Sequence, residues 1–393
     1  MRNIVTGIDI GTYQIKVIIA EGVRKNGVYV PRIIGKGMAE SKGLRHGYII
    51  NTGDTVRSLK QAMAQASKAA GVPIKRAFIS IGGIGLSSFV SQGGVTISRA
   101  DSEVSELDME KAIEVCKGEI PASLSLNREI IHTIPLQYKI EGKPVLGRPL
   151  GMKGSKLEVK TLFITCLKHH LDDLVEAIEE AGVNVIDVIS APIAASFVTL
   201  SKTQKIAGCV LANIGAETLS IVVFENNIPI SLEVFPIGST DITNDIALGL
   251  RIPLEEAESI KLGAVTKTTY PQKELEEIVS ARLSDMFELV EAHLKKIGRN
   301  GLLPAGIIIT GGGSGIGTIE DFARMALKLP SRRAVFQFKA AENESLDTAW
   351  SVAYGLCLAG INNEAEESGT SRFGSAWHKA RRTAFSWIKP FLP

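Results

Sequence analysis

An internal repeat constrains this chain more than any other feature. Residues 7–21 read GIDIGTYQIKVIIAE and residues 211–225 read LANIGAETLSIVVFE. Laid over each other without gaps, Ile10 and Gly11 fall on Ile214 and Gly215, and Glu21 falls on Glu225. The residue two before each glycine is Asp9 in one copy and Asn213 in the other. Each copy reads as an apolar strand, a tight Gly turn and a second apolar strand. A second matched pair lies downstream, AFISIGGIG at 77–85 and IIITGGGSG at 307–315, each a strand running into glycines. A chain that carries both devices twice is expected to fold as two equivalent α/β lobes. Between them would lie a cleft lined by backbone N–H groups.

Helical periods connect these pieces. Residues 54–70 place Val56, Leu59, Ala62, Met63 and Ala66 on one stripe, with Asp54 as the expected N-cap and Gly71 as the stop. Further helices are expected at 170–181, 191–200 and 273–297, the second small and apolar enough to pack tightly against the other lobe. Residues 84–163 break the pattern. Strand-like segments (SSFVSQGGVTIS, REIIHTIPLQYKI, KLEVKTLFI) and a helix near 107–117 predict an inserted α+β subdomain there. The expected organisation is a first lobe at 1–83 and 164–203, the insert at 84–163, and a second lobe at 204–240 and 303–360. A small subdomain at 241–302 completes the second lobe.

The tail changes character. Residues 361–372 are polar and acidic, a flexible linker by composition. In 373–393, Phe373, Trp377, Ala380, Ala384 and Ile388 recur at helical spacing, flanked by Trp387 and Phe391. Lys379, Arg381, Arg382 and Lys389 supply the opposite face, with no acids. Such a helix could dock on its own body, fill a partner groove or lie on a membrane. Aromatic and wholly cationic faces behind a loose linker favour an anionic membrane surface. No apolar run approaches the roughly 18 residues of a spanning helix, and four scattered cysteines follow no metal-ligand spacing. A reduced, cytosolic chain is the expectation. Lys and Arg total 44 against 42 Asp and Glu, a balance that excludes a nucleic-acid binder of the whole-surface electrostatic kind.

The first hairpin has the composition of a phosphate clamp. Gly11 permits close backbone approach, Thr12 adds a hydroxyl, and Lys16 can reach a terminal phosphate oxygen. Asp9 could orient the water shell of Mg²⁺. The second hairpin is plainer, with Asn213, Ala216 and Ser220 at the corresponding polar positions, though backbone around Gly215 can still hold phosphate. Either turn, taken alone, could be an ordinary hairpin. Gly311, Gly312 and Gly313 end a buried strand and could admit a purine ring, cradle phosphate or simply form a loop. Glu258 and Lys261, three apart on a helix, read as a solvated ion pair or as a grip on a ribose. No nucleophile triad is suggested, and His132, His169 and His170 read as structural or exposed.

With these residues on the page, the chain resembles the actin superfamily and, within it, the FtsA family of bacterial cell-division proteins. The resemblance spans essentially the whole length. Its specific marks are SKGLRHGYI at 41–49 and HTIPLQYKIEGKPVLGRPLGMKGSKLEV at 132–159, in the latter Pro149, Gly151, Met152, Gly154, Leu157 and Glu158. IGSTDITNDIALGL and AESIKLGA, within 237–264, and the basic tail complete the set. The resemblance implies an actin-like, ribonuclease H-like duplicated fold. It implies ATP with Mg²⁺ between the lobes, held by Asp9, Gly11, Thr12, Lys16, Asn213 and Gly215, with Glu258 and Lys261 on the ribose side and Gly311 to Gly313 on the adenine. It further implies a peripheral inner-membrane protein that self-associates into filaments, meets other divisome proteins and binds the C-terminal peptide of FtsZ on residues 241–302. Phe373, Trp377, Lys379, Arg381, Arg382, Trp387, Ile388 and Lys389 would contact lipid. Departures from the family pattern at Asn213, Ala216 and Ser220, and Ala191 where hydrolytic relatives carry an acid before proline, imply nucleotide binding without turnover. The competing readings are an actin-like scaffold of type IV pilus assembly and a sugar or acid kinase of the same superfamily.

Overall fold

A computed structural model describes residues 3–25, 28–264, 270–336 and 347–367. Strands β1 (Ile4–Ile10), β2 (Gln14–Lys25) and β3 (Val28–Glu40) form a meander. A short ladder, β4 (Leu44–Arg45) with β5 (Tyr48–Ile49), leads into α1 (Thr52–Ala70) and β6 (Arg76–Ile81). The insert follows as β7 (Ser87–Thr96), α2 (Glu106–Gly118), α3 (Ala122–Ser125), β8 (Arg128–Ile140), β9 (Lys143–Val145) and β10 (Lys156–Leu167). Then come α4 (Lys168–Glu180), β11 (Asn184–Ser190), α5 (Ala191–Thr199) and α6 (Lys202–Ala207). The second lobe holds β12 (Cys209–Ile214), β13 (Leu219–Glu225), β14 (Ile228–Phe235), α7 (Ser239–Leu250), α8 (Leu254–Lys261) and α9 (Gln272–Lys296). It closes with β15 (Ile307–Thr310), α10 (Ile319–Leu327), β16 (Ser331–Arg333) and α11 (Ser351–Glu367).

The repeat seen in the sequence is a repeat of topology. The first sheet has the order β3-β2-β1-β6-β11 and the second β14-β13-β12-β15-β16, each an antiparallel meander extended by two parallel strands. The correspondence holds residue by residue. Asp9 lies opposite Lys16 as Asn213 lies opposite Ser220, and Ile8 pairs with Ile79 as Ala212 pairs with Ile309. Even the bulge recurs: the β2/β3 register slips between Ile19 and Ala20, and the β13/β14 register between Val223 and Phe224, the matching positions of the repeat. A bulge adds local twist, so both meanders bend at the same place.

Alternation along β12 assigns its two faces to different layers. Val210, Ala212 and Ile214 join the core beneath α7 to α10, whereas Cys209 and Leu211 join the larger core that includes the first sheet, α5 and α11. Helix α5 packs on α11 and on β12 and β13, as its small apolar sequence predicted. Helix α11 runs back across β1, β2, β3 and β6, so the end of the expected second-lobe segment 303–360 packs on the first sheet. Its path also shortens the expected linker at 361–372. Helix continues to Glu367 because Ile361 is fully buried, close enough to Gly22 that a Cβ there would lie 3.2 Å from its Cγ2. The tail at 373–393 and its expected lipid-facing residues lie outside the described residues.

The insert is α+β as expected, an antiparallel sheet of order β7-β10-β8-β9 with α2 packed on it around Met109, Ala112, Cys116 and Phe163. It also braces the second lobe. Ser88 Oγ donates to the Leu232 carbonyl at 2.8 Å and accepts the Leu232 N–H at 2.7 Å, satisfying both outward groups of that β14 residue. One capping expectation is corrected. Asn51, not Asp54, caps α1, its Oδ1 accepting the Asp54 N–H at 3.1 Å, because the helix starts at Thr52 and places Asp54 inside the first turn beside Arg57.

Where α11 crosses α5, a Cβ on Gly355 would overlap the Ala194 carbonyl oxygen. Gly355→Ala is therefore expected to destabilise the protein by about 1–3 kcal/mol in denaturant unfolding. Gly118→Ala, a helical position with nothing within 4 Å, should leave stability unchanged or slightly raised. Equal midpoints for the two variants would refute the close crossing.

A candidate nucleotide cleft between the lobes

The first hairpin carries a buried charge. Register puts Asp9 on β1 opposite Lys16 on β2, and parallel pairing brings Ser80 alongside from β6. Ser80 Oγ donates to Asp9 Oδ1 at 3.0 Å and accepts the Ile10 N–H at 3.2 Å. Asp9 is only 9% exposed, and burial raises its carboxyl above the usual range. The Lys16 charge and the Ser80 bond pull the other way. The turn follows at once. A Cβ on Gly11 would stand 2.9 Å from the Gln14 carbonyl, so the turn itself leaves no room for a side chain there.

The second hairpin has the same frame without charge. Asn213 lies between Ser220 and Thr310, the counterparts of Lys16 and Ser80. Its turn is strapped from the β14–α7 connection: Ser239 N–H donates to Gly215 O at 2.9 Å and Thr240 N–H to Ala216 O at 2.8 Å. Gly311 takes φ +91° with Asn213 Oδ1 and Ile214 O where a Cβ would sit, and a Cβ on Gly313 would lie 3.0 Å from that of Ser239. Gly312, between them, is exposed with nothing within 4 Å of its Cβ position, so its backbone faces open space.

Glu258 and Lys261 join this group. Lys261 Nζ lies 2.6 Å from Glu258 Oε2, 2.8 Å from Thr243 Oγ1 and 3.2 Å from Ser239 O. Thr243 Oγ1 donates to Glu258 at 2.6 Å. The Lys261 side chain is 7% exposed and that of Glu258 39%, which replaces the solvated ion pair with a half-buried network tied to the second turn. Gly215, Gly311, Gly313, Glu258 and Lys261 thus gather around Ser239, while Asp9, Gly11, Thr12 and Lys16 gather at the first turn. The two groups meet through residues 46–47. Gly47 N–H donates to Thr12 Oγ1 at 3.2 Å, and His46 N–H donates to Glu217 Oε2 at 2.5 Å.

Ser80, His46, Glu217, Ser239 and Thr243 lie within the motifs read from the sequence but are not among the expected site residues. A signal existed for Ser80, because overlaying AFISIGGIG on IIITGGGSG aligns it with Thr310. The histidines are structural where buried. His132 Nε2 accepts the Ser190 N–H at 3.0 Å, with burial pushing its pKa down to about 3, and His170 Nε2 lies 3.1 Å from Gly82 O. Among the described residues no group of three or more His, Cys, Asp or Glu side chains could hold a metal ion by itself.

Comparison with known proteins follows the same division. The family described as cell division protein FtsA matches residues 210–366, and the SHS2 domain inserted in FtsA matches residues 83–165, the observed insert. The cell division protein FtsA of Pseudomonas aeruginosa is 30% identical over 397 residues, spanning 95% of this chain and 93% of its own length. The chain belongs to the FtsA family of cell division proteins. The FtsA of Bacillus subtilis is likewise 30% identical, over 83% of this chain and 77% of its own. Among solved structures, one from the PilM–PilN type IV pilus biogenesis complex superposes with a TM-score of 0.67 at 16% identity, covering 91% of this chain and 98% of that one. MreB5 of Spiroplasma citri bound to ADP gives 0.52 at 13% identity, covering 93% and 98%. These likenesses establish the actin-like fold that the resemblance implied, with the two α/β lobes expected from the repeat.

The buried Asp9 carboxyl has a consequence for stability. Its folded pKa lies above its unfolded value of 3.8, so its contribution is intact below that pH and is lost as pH rises through the folded value. Asp9→Asn, which copies Asn213, is expected to raise the melting midpoint near about pH 7.5, the gain vanishing near about pH 3.5. A midpoint at or below wild type at the higher pH would mean that attraction to Lys16 outweighs burial.

Proposed function

We propose that the chain is a nucleotide-stabilised adaptor of cell division that polymerises on the inner face of the cell membrane at the division site. There it would anchor the FtsZ ring through its amphipathic tail. The observation that carries the reading is that both repeat turns meet across the lobes through residues 46–47, with Lys16 opposite Asp9 in the first hairpin. ATP fits this residue set. Gly11 and Gly311 keep bare backbone at the two turns, Lys16 supplies the cation, Gly312 faces open space for the base, and the partly exposed Glu258, held by the buried Lys261, offers an acceptor to a ribose. MreB5 structures bound to ADP and to AMPPNP have the same fold and support a nucleotide here.

Asp9 is a single carboxylate, enough to orient Mg²⁺ through water when phosphates supply the other oxygens. Asn213 and Ala216 stand where the first hairpin has Asp9 and Thr12, and Glu217, the carboxylate of the second turn, is engaged by the His46 N–H, so the reading is binding with little or no hydrolysis. Membership of the FtsA family supports docking of the FtsZ C-terminal peptide on residues 241–302, self-association into filaments and contact with other divisome proteins. No described helix is long and apolar enough to cross a membrane. The tail is instead read as lying on lipid through Phe373, Trp377, Trp387 and Ile388, with Lys379, Arg381, Arg382 and Lys389 each adding about 1 kcal/mol near anionic headgroups. The pilus-scaffold reading rests on fold likeness alone.

Two measurements test these assignments. Removing residues 373–393, or Trp377→Glu, should release the protein from anionic liposomes in co-sedimentation and leave FtsZ-tail peptide in the supernatant with it. Undiminished pelleting with vesicles sinks the anchor. Lys16→Ala should weaken ATP binding at least about tenfold in calorimetry, since it removes a charge-assisted phosphate contact. Unchanged affinity removes Lys16 from the clamp.

A further inference from the structure

The β4–β5 tip is built onto the first lobe and reaches the second through one acidic side chain. His46 adopts φ +49°, an unusual conformation for a residue other than glycine. Gly47, at φ +84°, packs so closely that a Cβ on it would overlap Gly83 Cα. Gly83, at φ +88°, would in turn place a Cβ 2.9 Å from the His46 carbonyl. Two interlocked glycines, the Ile84 N–H donating to His46 O at 3.3 Å and the Gly47 N–H on Thr12 together fix the tip against the first hairpin.

From that position the His46 N–H points at Glu217 Oε2, 2.5 Å away, and its Nδ1 lies 3.3 Å from the Glu217 carbonyl. Glu217 is equally fixed on its own side. The Ser239 and Thr240 amides strap its turn, and a Cβ on Gly238 would stand 2.6 Å from the Glu217 N–H. The His46 and Glu217 side chains are 36% and 28% exposed, so the contact is partly buried yet reachable by water.

From this geometry we infer that His46 and Glu217 form a latch across the mouth of the interlobe cleft, and that its opening gates entry and exit of the nucleotide. The inference rests on the nucleotide reading above and adds a regulatory element to that site. A charge-assisted hydrogen bond and one longer contact between two well-fixed turns form a junction that could part there without unfolding either lobe, while α5 and α11 still join them. A latch slows arrival and departure alike, because the same opening precedes both. A direct ligand contact acts mainly on departure.

The test is stopped-flow binding of a fluorescent ATP analogue to the full chain, comparing wild type with Glu217→Ala and Lys16→Ala. Glu217→Ala is expected to raise association and dissociation rates together, each about tenfold, with the dissociation constant changed less than about threefold. Amide hydrogen exchange over residues 44–50, measured without nucleotide, should quicken at His46 in Glu217→Ala and stay unchanged in Lys16→Ala. Unchanged rates overturn the latch, and so does a rise in the dissociation rate alone, which would make Glu217 a ligand contact. Unchanged exchange at His46 overturns it independently of any nucleotide. If the wild type takes up no analogue, the nucleotide reading falls and the gating role with it, while exchange still decides whether the contact holds the lobes.

Discussion

The close crossing of α5 and α11 sets the geometry on which the rest depends. Gly355 lies against the Ala194 backbone with no side chain between them, and α11 then spreads over the first sheet while α5 presses on β12 and β13. The two sheets are thereby joined through one helix crossing. Both Gly turns sit at strand ends on those sheets, so the spacing of the turns is inherited from the helix crossing. Core packing tolerates little drift, and a cleft lined by backbone groups needs that rigidity, since backbone cannot adjust its reach as a long side chain can.

Within that frame the two halves of the repeat differ in charge. Asp9 and Lys16 set opposite charges across the first hairpin with Ser80 bonded to the carboxyl, whereas Asn213, Ser220 and Thr310 place neutral groups in the same register at the second. Burying a carboxyl is unfavourable unless the charge is used. The second copy has shed it and keeps the backbone cradle, strapped by residues 238–240. The one carboxylate that the second turn keeps, Glu217, accepts the His46 N–H instead.

Much of this was legible beforehand because β-pairing is a linear code. A hairpin with a Gly turn fixes which residues oppose each other, so two similar hairpins implied similar registers and the Asp9 to Lys16 pairing. The insert was legible as a break in the repeat. Less legible were positions whose meaning depends on a distant partner. Glu258 and Lys261 look like any solvated pair on a helix until α8 folds beside α7 and buries the lysine against Ser239 and Thr243. Asn51 displaced Asp54 as the cap of α1 because the helix began a few residues earlier than the apolar stripe required.

By itself the amino-acid order determined the duplicated hairpins, the inserted subdomain, the glycines needed at the turns and the basic, aromatic character of the last twenty residues. These are local properties of period, turn chemistry and charge. The tertiary structure alone decided that α11 returns to the first sheet, that Ser88 braces β14, and that His46 of the first lobe meets Glu217 of the second. Those contacts join residues 144 and 171 positions apart. At such separations no periodicity links the partners, and only the packing of both lobes through one helix crossing brings them within hydrogen-bond reach.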